Sequence, residues 1–182
     1  MNEVMAIKNK DDIEKVGNFL SKHYSEVVSD AWAFGLQVSL RVSDLLSIKF
    51  SDIEKGVLKV TAQKTDKTQR IQLNKKALAI LERRSKGSDE YLFQSKSNRA
   101  KAMNKPLTRQ TLSKALKEAS IQIGTDINTH SMRKTWGYWT YKATNNIALV
   151  QKSLQHSSTA HTLRYIGIDQ DELDNVYSSI EI

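Results

Sequence analysis

The sequence has no cysteine, one proline and seven glycines among 182 residues, and only 7% of it is aromatic. Without cysteine there is no disulfide framework and no thiolate-held zinc finger or ribbon. Few prolines and glycines beside 39% hydrophobic residues argue against a disordered basic tail and predict a folded, helix-rich domain. Long apolar runs are missing too. The longest uncharged apolar stretch, Ala31 to Leu40, is about half of what a membrane span requires. The opening residues MNEVMAIKNKDD lack the apolar region of a signal peptide. A soluble cytoplasmic chain of one domain, able to bury a real core without a structural metal, is therefore expected.

Acidic side chains are the minority, 20 against 28 Lys plus Arg, for a formal charge of +8. The excess is local. Residues 1–58 carry 7 basic and 9 acidic side chains, residues 59–117 carry 16 and 4, and residues 118–182 carry 5 and 7. A phosphate-facing surface would concentrate charge in this way, although a solvated lysine-rich face gives the same count.

Apolar periodicity predicts most elements. Ile13, Val16 and Leu20 form one helical stripe behind Asp11 or Asp12 as cap. A second helix runs from about Ser25 through Leu36, and Val42, Leu45, Leu46 and Ile48 continue at helical spacing. The period then changes: residues 57–63 alternate, and so do 69–73, which predicts a β-hairpin with Lys64 to Thr68 at its tip. Helical spacing returns at Ala77, Leu78 and Leu81. Residues 91–93 read as a short strand, and 95–106 as a basic loop. Thr108 caps a helix carrying Leu112, Ala115, Leu116 and Ala119, and Thr129 or Ser131 opens another through Trp136 and Trp139. Two short helices follow, in residues 145–154 and 157–166, and the amphipathic tail predicts a last one. The fold class is mainly α with a small antiparallel β-sheet, α+β.

Several residues could carry chemistry, and each also has a plain structural reading. Arg41, between apolar neighbours, needs an anionic partner, which Asp44 could supply. Lys64 could be one of many solvated lysines. His130 and Arg133, at i and i+3, project from one face of a helix terminus. His156 could serve a cap or the core, and Tyr165 could be a core aromatic. A zinc site on His156 and His161 is disfavoured, because a spacing of five on one helix turns the rings apart.

Taken in order, these pieces resemble the tyrosine recombinases of the phage integrase family. Leu40-Arg41-Val42-Ser43-Asp44-Leu45 is similar to the family's first-arginine motif. Lys64-Thr65-Asp66-Lys67-Thr68-Gln69-Arg70-Ile71-Gln72-Leu73 is similar to its lysine hairpin. His130 and Arg133 match its His-x-x-Arg box, and Leu154-Gln155-His156-Ser157-Ser158 resembles its Leu-Gly-His-Ser-Ser box. Tyr165 follows His156 at the family's usual distance. The likeness covers nearly the whole chain from about residue 12. Three positions depart from the pattern: Asp44 stands for glutamate, and Ser39 and Gln155 stand for glycine. Gln155 asks more of the backbone than glycine would.

The resemblance implies a site-specific DNA recombinase or integrase of a mobile genetic element that cleaves and rejoins strands through a 3′-phosphotyrosine, without metal, ATP or other cofactor. It implies Tyr165 as nucleophile, Arg41, His130, Arg133 and His156 around the phosphate, and Lys64 as general acid. Lys67, Arg70, Arg99, Lys101, Lys105, Arg109 and Lys114 are candidate contacts to double-stranded DNA. The expected organisation is one catalytic domain over 1–182, with a core at about 12–168, a tail helix at 169–182 and no N-terminal core-binding domain. The tail would link protomers into a tetramer on paired sites, in the cytoplasm of a bacterium or phage host, with the nucleoid. Alternatives are a type IB topoisomerase-like activity and a non-catalytic DNA-binding regulator that reads DNA through a helix-turn-helix. Tyr177, too far beyond His156 for the family spacing, is expected to pack in the tail.

Overall fold

Side-chain caps at Asn9, Ser25, Asn74, Thr108, Asn146 and Ser158 accept backbone N–H groups that the first helical turn leaves unpaired, and they divide the chain into helices. The computed structural model describes residues 4–87, 89–95, 104–168 and 177–181. The capped helices are α1 (Lys10–His23), α2 (Glu26–Val38), α4 (Lys75–Arg84), α5 (Arg109–Ile123), α7 (Ile147–Leu154) and α8 (Thr159–Ile166). Two others, α3 (Val42–Leu46) and α6 (Ser131–Thr144), begin without a side-chain cap, at Arg41 and His130. Asn9, and not Asp11 or Asp12, caps α1; the two acids lie in its first turn, where the helix dipole favours them.

The antiparallel sheet runs in the order β1 (Ile53–Glu54), β2 (Val57–Thr61), β3 (Thr68–Gln72). Its register pairs Val57 with Gln72 and Thr61 with Thr68. The hairpin tip therefore spans 62–67, earlier than the alternation predicts. The Ala62 carbonyl accepts the N–H groups of Thr65 (3.2 Å) and Asp66 (2.9 Å), which turns the chain out of the ladder, and Asp66 takes a positive φ of 51°. Residues 91–93 form no strand. Tyr91 makes an isolated bridge to Lys49 and Gln94 makes one to Pro106, and Leu92 and Phe93 between them are buried, so apolarity there reflects core anchoring. Of the expected tail helix, 169–176 and 182 lie outside the described residues, and 177–179 form a helical turn.

Helix α2 occupies the centre, packed against α1, α3, α4 and α6, and α1 also packs on α5. Trp32, Phe34, Leu45, Leu58, Leu112, Leu116 and Met132 join these elements in one buried cluster. Each fully buried side chain of this size contributes roughly 1.5–3 kcal/mol. A second, smaller cluster of Ala6, Tyr138, Val150, Leu154 and Ile166 holds α7 and α8 on α6. Gly137 makes that approach possible, since a Cβ there would sit 2.7 Å from Ile166 and 3.3 Å from Leu154. Among the described residues, no helix is long and apolar enough to cross a membrane.

Candidate active site

Arg41 stands immediately before α3, with φ −66° and ψ 149°, and its carbonyl starts the helix by accepting the Leu45 N–H at 2.8 Å. The chain reaches it through Ser39, which ends α2 in the left-handed region at φ 54°. Asp44, one turn on, is 1% exposed. It forms no ion pair with Arg41; the ion pairs of the described residues lie elsewhere. Its Oδ1 instead accepts the backbone N–H of Gln63 at 3.0 Å. Its Oδ2 has no hydrogen-bond partner, and its charge acts on Arg133.

Arg133 lies in the first turn of α6, 5% exposed. Its Nη2 donates to the carbonyl of Leu154, the last residue of α7, and the guanidinium is close enough to Tyr165 for the two to interact electrostatically. Burial lowers its pKa; Tyr165 and Asp44 oppose that shift and Arg41 adds to it. A guanidinium starts so high that it stays charged at working pH. The next residue, Lys134, is 3% exposed and carries its Nζ 4.8 Å from the centre of the Tyr165 ring, a cation–π contact.

Tyr165 is half-buried on α8 with the His156 ring edge-on at 4.8 Å. His156 lies in the corner between α7 and α8, and its Nδ1 is 3.2 Å from Thr162 Oγ1. The Thr162 hydroxyl already gives its proton to the Ser158 carbonyl at 2.9 Å, so its oxygen accepts from Nδ1–H and Nε2 keeps a lone pair. Burial, then the charges of His161, Arg133 and Arg41, push the His156 pKa down to about 4. The His156 and His161 rings are 4.5 Å apart. His156 precedes α8 rather than lying on it with His161, so the two rings meet instead of turning apart as two positions on one helix would. Among the described residues no group of three or more His, Asp or Glu could hold a metal ion.

His130 caps the start of α6 by position, with its N–H donating to Asn128 Oδ1 at 2.7 Å. Its residue is exposed, yet partial burial of the ring, followed by Arg109, Lys134 and Arg133, lowers its pKa. Lys64 is exposed at the hairpin tip, and no hydrogen bond or ion pair joins it to the other five. The geometry thus brings Arg41, His130, Arg133, His156 and Tyr165 into one electrostatic group and leaves Lys64 on an arm beside it. Lys67, Arg70, Lys105, Arg109 and Lys114 are exposed, whereas Arg99 and Lys101 lie outside the described residues. Arg109 sits close enough to His130 to act on it. Tyr177 does not pack on the chain; it is 80% exposed.

Sequence reasoning misses Lys134, Thr162 and the part played by Asp44. Lys134 follows Arg133 directly, and Thr162 lies one helical turn before Tyr165, so proximity to the motifs is the signal that would find them.

The sequence pattern of the Phage integrase family matches residues 9–172. The chain belongs to that family, a class of tyrosine recombinases, enzymes that break and rejoin DNA strands. It is 34% identical over 182 residues to the probable integrase/recombinase YoeC of Bacillus subtilis (strain 168), covering 97% of each chain. Among solved structures, XerA recombinase superposes with a TM-score of 0.75 at 17% identity, over all of this chain and 68% of that one. A lambda integrase tetramer bound to a Holliday junction gives 0.71 at 20% identity, over 91% of this chain and 49% of that one. These likenesses establish the mostly helical fold with its small antiparallel sheet.

Proposed function

We propose that this chain is a site-specific recombinase that cleaves DNA by transferring a phosphoryl group to Tyr165 and rejoins it by reversing that step. One observation carries the reading: Tyr165 lies with the His156 ring edge-on at 4.8 Å and the Lys134 ammonium 4.8 Å from its ring centre, beside the buried Arg133, on which its charge and that of Arg41 act. In the proposed cleavage step the Tyr165 oxygen attacks the phosphorus and the bond to the 5′-oxygen breaks. His130, neutral because burial and three cations lower its pKa, takes the phenolic proton. Lys64 gives a proton to the departing 5′-oxygen. Arg41 and Arg133 hold the non-bridging oxygens by planar hydrogen bonds as charge gathers on them, a donor set fixed in advance. Neutral His156 offers a lone pair at Nε2, and a phosphate arriving beside it favours the protonated form that donates. The phosphotyrosine conserves the bond, so a 5′-hydroxyl from another strand reverses the step without a high-energy cofactor.

Lys67, Arg70, Lys105, Arg109 and Lys114 would hold the DNA backbone, together with Arg99 and Lys101, and fix register more than sequence. Self-association on paired sites, with the C-terminal tail passing between protomers, completes the reading; the lambda relative is a tetramer on a junction. Nicked duplexes that lose a short fragment on cleavage trap the covalent product. Incubation with a pool of such duplexes of randomised sequence should give a protein–DNA adduct on a denaturing gel, absent for Tyr165→Phe. A chain that binds this DNA and yields no adduct is a binding protein, contrary to the proposal.

A further inference from the structure

Lys64 is exposed, but its two sequence neighbours are not free to wander. On one side, the Gln63 N–H donates to Asp44 Oδ1 at 3.0 Å, which ties the tip to the segment carrying Arg41. On the other side, the Thr65 hydroxyl donates to Gln155 Oε1 at 3.1 Å, which ties it to the corner carrying His156. A third bond, from Gln69 Nε2 to the Ser153 carbonyl at 2.9 Å, seats the β3 side of the hairpin on the end of α7. Gln155 itself takes φ 53° and ψ 39°, a conformation that glycine adopts without strain and glutamine does not. The side chain at that strained position reaches the one hydroxyl beside Lys64.

We propose that Gln155 is a positioning residue for Lys64: its side chain and Asp44 bracket the lysine between two anchored neighbours and hold its stem where the ammonium can meet the leaving 5′-oxygen. The inference rests on Lys64 acting as the general acid. Four rotatable bonds still separate the Lys64 backbone from its ammonium, so the bracket does not fix the proton donor. It narrows the volume that the donor searches, which raises the fraction of encounters in reacting geometry. Because the contact is solvent-exposed and a single hydrogen bond, its loss should slow the step about fivefold rather than abolish it.

A leaving group that needs no proton isolates the effect. Sequences recovered from the covalent adducts of the randomised nicked pool supply a substrate, made in two forms: the ordinary phosphodiester and one with sulfur in place of the 5′-bridging oxygen. The thiolate departs unprotonated, so a defect in proton delivery disappears on the sulfur substrate. Single-turnover cleavage by Gln155→Gly, which also relieves the backbone, should fall about fivefold on the oxygen substrate and stay within about twofold of the parent on sulfur. Thr65→Val should behave in the same way, and Thr65→Ser, which keeps the hydroxyl, should match the parent on both. Melting temperatures no lower than the parent's for Gln155→Gly would show that folding is intact. Equal losses on both substrates, or none on either, would overturn the role assigned to Gln155. Lys64→Ala separates that failure from a deeper one: if sulfur does not rescue it, the general-acid reading falls, and the positioning role falls with it.

Discussion

Arg133 and Lys64 are both cations assigned to the same phosphate, yet the molecule treats them differently. Arg133 is 5% exposed, hydrogen-bonded to a backbone carbonyl and in electrostatic contact with Tyr165. Lys64 is exposed in a turn, held only through its neighbours. Charge that must already be in place when the transition state forms is built into packed helices, where no reorganisation is needed. In the proposed mechanism, the proton handed over once, at the leaving atom, is carried on an arm. The same division separates the clusters: the arginine segments rest on the large core, and Tyr165 packs against the small one that Gly137 admits.

If that division is right, the buried half is the less forgiving. Arg133→Lys should lower single-turnover cleavage about a thousandfold, nearly as far as Arg133→Ala, because an ammonium cannot reproduce the planar fork that reaches the phosphate and the Leu154 carbonyl together. Burst amplitudes on a trapped substrate measure it, and a lysine that restores most of the rate would break the contrast. Lys64→Ala should cost about a hundredfold, with binding of DNA unchanged. A change in affinity as large as the change in rate would mean that Lys64 is a phosphate contact rather than an acid.

The histidine corner adds a pH signature to the buried half. The folded chain holds His156 near 4, against about 6.5 for an unfolded histidine. Between those values the unfolded chain binds more protons, so stability present above about pH 6.5 declines as the pH falls toward 4. Urea midpoints across that window should drop with acid, and His156→Gln should flatten the drop. A steeper fall in the variant would contradict the assignment.

The smallest effects belong to the outer face of the arm. Lys67→Ala and Arg70→Ala should each reduce the slope of log affinity against log salt by about 0.9. Fluorescence anisotropy on a fixed duplex measures that slope. An unchanged slope with a changed sequence preference would move these residues from the backbone to the bases.

Much of this was legible in residue spacing. Capped amphipathic helices and an alternating hairpin follow from local rules, and the motifs single out Arg41, His130, Arg133, His156 and Tyr165, which the fold brings within electrostatic reach of one another. What escaped depends on tertiary placement. Residues 91–93 are apolar because Leu92 and Phe93 enter the core, a cause that periodicity cannot distinguish from a strand. The nearness of His156 and His161 depends on where α8 begins. Asp44, read as a partner for Arg41, turned out to hold the backbone beside Lys64. Ser39 and Gln155, read as departures from glycine, both take positive φ, a strain of about 1–2 kcal/mol each for a residue with a side chain.

Protease digestion of the trapped adduct, followed by mass spectrometry of the DNA-linked peptide, identifies the nucleophile and the end of the strand that it holds. The expected product is a single tyrosine, Tyr165, joined to a 3′-phosphate, with a free 5′-hydroxyl on the released fragment. A linkage at the exposed Tyr177, or a 5′-phosphate attachment, would contradict it.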